Sequence, residues 1–155
     1  MQFQTEPYPY DKPPWRRSHR AVSPNGSLVA EIKEAIEHSM SNPTVGTLRI
    51  SDGLELAKCN PAFIWSDDSR YLAAPQWRRR FGFFLRQRLA IVDVAERAVY
   101  VSPFTYWLIE PVKFERGKLE CLVSGSRGIS WPRKGLVLEV SSILSTFTKL
   151  KVGYG

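Results

Sequence analysis

Ile64-Trp65-Ser66-Asp67-Asp68-Ser69-Arg70-Tyr71-Leu72-Ala73-Ala74 runs a polar turn into an apolar strand, and the fold depends on whether that unit occurs once or recurs. A turn leading into a strand is ordinary by itself, whereas recurrence at a fixed period of roughly 20–50 residues defines a repeat architecture. The unit recurs. Val22-Ser23-Pro24-Asn25-Gly26-Ser27-Leu28-Val29-Ala30 matches Trp65-Ser66-Asp67-Asp68-Ser69-Arg70-Tyr71-Leu72-Ala73 in order: apolar, Ser, two turn formers, a small residue, a polar one, then a strand ending in Ala. Gly26 and Ser69 lie 43 residues apart. A weaker third copy, Phe114-Glu115-Arg116-Gly117-Lys118-Leu119-Glu120-Cys121, is one residue shorter, with Gly117 48 residues after Ser69. Pro, Asn, Asp and Gly suit such corners because they preset or tolerate the turn dihedrals.

A second unit repeats in phase with the first. Thr47-Leu48-Arg49-Ile50-Ser51-Asp52-Gly53, Arg88-Leu89-Ala90-Ile91-Val92-Asp93-Val94 and Gly135-Leu136-Val137-Leu138-Glu139-Val140 are each an apolar strand closed by an acidic residue. Asp52 to Asp93 is 41 residues and Asp93 to Glu139 is 46, close to the spacings of the turns. After each acid comes a short link and another strand-like run, Leu54 to Lys58, Arg97 to Val101 and Ser145 to Val152, so each copy ends in a hairpin. The sequence thus predicts an all-β fold of three four-stranded antiparallel meanders. Expected strands cover residues 27–33, 46–51, 70–75, 88–94, 97–102, 118–123 and 135–140, with Leu48, Ile50, Tyr71, Leu72, Leu89, Ile91, Leu136 and Leu138 supplying most of the core. One local signal conflicts: Leu28, Ile32, Ala35, Ile36 and Met40 fall at helical spacing. The repeat assigns 28–33 to strand, because local propensity yields to tertiary context, and leaves 34–45 as a long connection.

SPNGSLVA and WSDDSRYLA resemble the turn between the first two strands of a WD40-like or TolB-like β-propeller blade, and LRISD and AIVDV resemble the third strand with its terminal Asp. The likeness spans roughly residues 19 to 152. It departs from the family where Ser51 and Val92 stand in place of Trp, and no Gly-His pair opens any copy. Three copies raise a physical difficulty, since propellers close with about 4–8 blades and an unclosed array leaves sheet edges unpaired. Either the units wrap into an open sheet or sandwich, which is the reading preferred, or two chains close a ring by dimerisation.

Composition sets the outer limits. The chain has 155 residues, 22 Lys and Arg against 15 Asp and Glu, and a net charge of +7, which favours an acidic protein, a nucleic acid or an anionic surface as partner. Cys59 and Cys121 are far apart and belong to no CxxC or Cys/His cluster, so they read as two buried free thiols with no zinc site. No apolar run approaches the roughly 20 residues of a membrane helix, and the N-terminus has no apolar signal core. The expectation is a cytoplasmic protein without membrane contact, with a Pro/Tyr-rich arm over residues 1–18 and a single domain over 19–155. The arm, Pro7-Tyr8-Pro9-Tyr10-Asp11-Lys12-Pro13-Pro14-Trp15-Arg16-Arg17, favours extended backbone and either lies over a sheet edge or is a free binding tail.

The main functional candidate is the connection inside the second copy, residues 76–88, where Trp77, Arg78, Arg79, Arg80, Phe81, Phe83, Arg86 and Arg88 concentrate charge and rings. Arginine forks suit carboxylates and phosphates, and aromatic faces suit bases or an apolar anchor. The alternative is a long exposed hairpin whose rings cover the core and whose arginines solvate it. The corresponding connection of the third copy carries Arg127, Trp131 and Arg133, and true repeats would bring these connections to one face. Catalytic constellations are not apparent: His19 and His38 have no motif around them, Ser124-Gly125-Ser126-Arg127-Gly128 is not a nucleophile elbow, and no phosphate-cradling loop occurs. Asp67 and Asp68 read as turn formers, and Asp52, Asp93 and Glu139 as strand-end structure. The sequence therefore points to a non-enzymatic protein-binding module with no cofactor or metal. It would hold an acidic partner, as a small inhibitor or immunity-type protein does; a nucleic-acid-binding protein using residues 76–88 is the alternative.

Overall fold

The computed structural model describes residues 19–33, 36–37, 44–80, 84–124 and 134–151. Thirteen strands and one short helix follow in order: β1 (His19–Val22), β2 (Val29–Ile32), β3 (Ile36–Glu37), β4 (Thr44–Ile50), β5 (Glu55–Cys59), β6 (Ile64–Trp65), β7 (Tyr71–Arg80), β8 (Phe84–Asp93), β9 (Ala98–Val101), β10 (Leu108–Glu115), β11 (Lys118–Ser124), β12 (Lys134–Glu139), α1 (Val140–Thr146) and β13 (Thr148–Leu150). The fold is all-β, and every strand pairing in it is antiparallel. Within the 28–33 stretch Val29–Ile32 is strand rather than helix: Ala30 is buried between Ala21 and Ile50, and Ile32 is buried beside Leu48.

Two sheets make three layers. The larger runs β1-β2-β4-β5-β7-β8-β9-β13, with β3 on β4 and β6 on β7, and the smaller is β10-β11-β12. In the larger sheet β5 meets β7 at one pair only, Cys59 and Gln76. Past that hinge point β1, β2, β4 and β5 fold back over one face of β7–β8–β9. Alternation along the strands shows it. Leu72, Ala74, Ala90, Val92, Val99 and Val101 pack with Ala21, Ala30, Ile32, Leu48, Ile50 and Leu56. Tyr71, Ala73, Leu89 and Ile91 point the opposite way, onto Ile109, Phe114, Leu119 and Cys121 of the smaller sheet. The middle layer is buried on both faces, which is why β7 and β8 carry continuous apolar runs rather than an alternating pattern.

The turns that open the first two meanders are the same object. In each, the serine N–H bonds five residues on (Ser23 to Leu28 O, 2.8 Å; Ser66 to Tyr71 O, 2.8 Å), and its hydroxyl takes the return N–H (from Leu28, 3.0 Å; from Tyr71, 2.9 Å). That hydroxyl donates to Asn25 or Asp68, whose Oδ1 also accepts the N–H two residues on, from Ser27 or Arg70. Gly26 and Ser69 occupy the same left-handed corner, at φ 77° and 63°. The third turn is tighter: Glu115 pairs with Lys118 across Arg116 and Gly117, both at positive φ, as in a two-residue hairpin. All three turns are laced at one end of the stack. Asn25 N–H donates to Ser69 Oγ (2.9 Å), Asp67 N–H to Phe114 O (3.0 Å), and Arg116 N–H to Asp67 Oδ2 (3.2 Å).

The third meander departs from expectation at its end. No hairpin joins Gly135–Val140 to a strand over Ser145–Val152. Residues 140–146 form α1, which buries Ile143, and the chain then crosses to the second meander, where β13 pairs with β9 (Thr148 with Val101, Leu150 with Val99). The third meander therefore has three strands among the described residues. Tertiary packing decides this: Phe147 joins the core facing the smaller sheet while Leu150 joins the opposite one. Of the expected core, Leu48, Ile50, Tyr71, Leu72, Leu89 and Ile91 are buried, whereas Leu136 and Leu138, on the last strand of the smaller sheet, are half-buried.

Cys59 and Cys121 are free and buried. Burial, reinforced by the Glu110 charge, pushes the Cys121 thiol up to about 12, and burial pushes Cys59 up against the opposing effect of Arg88. Unfolded thiols ionise from 9.0 while the folded ones stay protonated, so stability is complete below pH 9 and falls as pH rises toward 12. Each thiol contributes a loss of up to about 1.4 kcal/mol per pH unit. Urea unfolding across that window should show the fall, and Cys121→Ala should remove its own share while leaving that of Cys59.

Candidate functional site

The three connections flagged by sequence leave from the end opposite the laced turns. The register places them there: Gly46 of β4, Cys59 of β5, Gln76 of β7 and Arg88 of β8 follow one another across the larger sheet, so the start of β4 and the β7–β8 hairpin share an end. The smaller sheet joins them through Gln87, whose backbone pairs with Tyr106 and whose Oε1 accepts the Ile109 N–H (2.8 Å) at the start of β10. Phe81, Phe83, Arg127, Trp131, Arg133 and the arm 1–18 lie outside the described residues, and of Arg79 and Arg80 only the backbone is described.

The hairpin is two-faced. Trp77 and Gln87 are opposite each other on one face and are buried, at 3% and 2% exposure. Trp77 is thus a core ring; alternation puts it on the side of Tyr71 and Ala73, under the smaller sheet. The other face carries Gln76, Arg78, Arg86 and Arg88, with Arg78 directly opposite Arg86 and Gln76 opposite Arg88. This face continues the one covered by β1–β2–β4–β5, at the end where β4 runs on past Gly46 to pair with β3 and where Lys58 is also exposed.

Neutral acceptors hold two of the three guanidinium groups. Arg88 Nε donates to Gln76 Oε1 (2.8 Å), and Gln76 in turn donates to Ala57 O (3.0 Å). Arg86 Nη2 donates to Thr105 O (3.2 Å), while its Nε–H is shut off from solvent with no acceptor. Arg78 is exposed. Among the described residues none of the three forms an ion pair, although Arg49 and Arg70 both do. Burial first, and then the Arg78 charge, hold Arg88 below its ordinary value. The result is an oriented cluster of positive charge with no ion-paired carboxylate among the described residues. Sequence reasoning found these arginines but missed Gln76 and Thr105 as their orienters; the hairpin register, which sets 76 against 88, was the available signal for the first.

Asp52, Asp68 and Asp93, read from sequence as structural, take structural roles. Asp68 closes its own turn, Asp52 accepts the Leu54 N–H (3.1 Å), and Asp93 accepts the Glu96 N–H and both Arg70 donors. Among the described residues no three His, Cys, Asp or Glu side chains gather as a metal site, and no helix is long and apolar enough to cross a membrane. No known family model matches this sequence, and searches of curated proteins and of solved structures find no significant match.

Proposed function

We propose that this chain is a non-enzymatic binding module that holds an acidic protein partner on the hairpin end of its stack, in the manner of a small inhibitor or immunity-type protein of the cytoplasm. The observation carrying this reading is the arginine face of β7–β8: three cations on one side of the hairpin, two of them oriented by neutral acceptors and none paired with a carboxylate among the described residues. A merely solubilising surface intersperses both signs, as the outer face of the first layer does. There Arg20, Glu31, Arg49 and Glu55 alternate across four paired strands. That charge ladder also favours an open stack of three blade-like meanders over a ring closed by two chains, since closure would bury it.

A protein partner is preferred to nucleic acid because the described arginine face has no exposed ring. Base stacking supplies much of single-strand affinity, and Trp77 is turned into the core on the other side. The test is competition between polyglutamate and an oligodeoxythymidine of matched charge at fixed salt. Polyglutamate should displace the oligonucleotide, and Arg78→Ala should weaken polyglutamate binding while Tm stays nearly unchanged, since this exposed charge contributes within about 0.5 kcal/mol. Tighter oligonucleotide binding, with affinity falling linearly in log salt, would replace this reading by the nucleic-acid one.

A further inference from the structure

The proposal above rests on charge; the geometry of the arginine face says more about the shape of what it holds. Arg86 and Arg88 are two residues apart on one strand and point to the same face, so their Cα atoms are about 6.6 Å apart, twice the rise of a strand residue. An extended peptide has the same repeat. Carboxylates at alternate positions of such a segment fall at the spacing of the two guanidinium groups, whereas carboxylates three apart alternate between its faces and lose the match. Arg78, across from Arg86, lies within about 5.5 Å Cβ to Cβ of it and gives a carboxylate held there a second cation.

Anchoring favours fixed geometry over a diffuse cloud of charge. Gln76 and Thr105 take one donor each from Arg88 and Arg86, which restricts both side chains while leaving their remaining N–H groups for a ligand. The partial burial of Arg86 and Arg88 makes both cations costly as they stand, a cost that an anion at their accessible Nη groups offsets. Arg78, exposed and unanchored, acts at longer range, accelerating encounter rather than slowing release.

We infer that, resting on the acidic-partner reading, Arg86 and Arg88 form a clamp selective for an extended acidic segment whose Asp or Glu residues alternate with neutral ones. Two synthetic peptides of equal length and equal glutamate count test it, one with Glu at every second position and one at every third with the spare positions placed at the ends. The wild-type protein should bind the alternating peptide about tenfold more tightly, through slower dissociation. Arg86→Gln/Arg88→Gln should erase the preference, and Arg78→Gln should slow association while leaving the preference intact. The wild-type comparison needs no variant, so it decides even where a substitution disturbs folding. Equal binding of the two peptides would overturn the clamp while leaving the acidic-partner reading in place. Binding of neither peptide nor polyglutamate would overturn both.

Discussion

Replacing Trp65 with Ala should lower the unfolding free energy by about 3–5 kcal/mol, a large part of the roughly 5–15 kcal/mol available to a domain of this size. The ring is 1% exposed and sits in the core between the first and second layers. Its Nε1–H donates to Ala21 O (3.0 Å), so one side chain from the second meander ties down the first strand of the first. Truncation therefore removes both a buried ring and a donor of a buried carbonyl. Trp65→Phe separates the two contributions: most packing is kept and Ala21 O, which the register also pairs with Ala30, loses one of its two donors, for an expected loss of about 0.5–1.5 kcal/mol. Equilibrium urea unfolding measures both. A loss under about 1 kcal/mol for the Ala variant would mean that the two layers do not depend on this contact.

Arg70→Ala should be the next most damaging single change. Asp93 is 1% exposed at the end of β8, and Arg70 grips it side-on through Nε (3.2 Å) and Nη2 (3.1 Å). Without the guanidinium the carboxylate stays buried with the Glu96 N–H still donating to it in the turn, and stranding a buried charge costs about 3–5 kcal/mol in fully enclosed pairs. Arg70 is 42% exposed, so water screens part of the attraction and the expected loss is nearer about 2–3 kcal/mol. Arg70→Lys keeps the charge but loses the fork and should fall between the two proteins. If Arg70→Ala and Arg70→Lys unfold at the wild-type midpoint, the pair is not a structural tie.

These two residues lie in the stretch from which the fold was read, and the reason it was legible is local. A Ser followed two residues later by Asn or Asp builds its own hydrogen-bonded turn wherever it stands, so Ser23–Leu28 and Ser66–Tyr71 announced themselves and fixed the phase of the strands around them. What stayed hidden depends on distant partners. Val140 to Thr146 is a poor helix former, rich in β-branched residues and serine, and becomes helical because Ile143 is buried against the smaller sheet. The pairing of β13 with β9 leaves no trace in either strand alone. At the hairpin end, composition drew attention to Trp77 along with the arginines. Strand alternation separates them, since 77 shares parity with Tyr71 and Ala73 while 78, 86 and 88 fall on the opposite face.

The central claim is that the basic hairpin end, rather than positive charge at large, is the binding surface. Amide hydrogen exchange of the full chain, free and saturated with polyglutamate, tests it most directly. The account predicts slowed exchange over residues 76–88 and the neighbouring Lys58–Cys59 and Thr105–Tyr106 segments, with the laced turns at 23–28, 66–71 and 114–118 unchanged. Protection spread evenly over the basic surface, or centred on the laced turns, would contradict it.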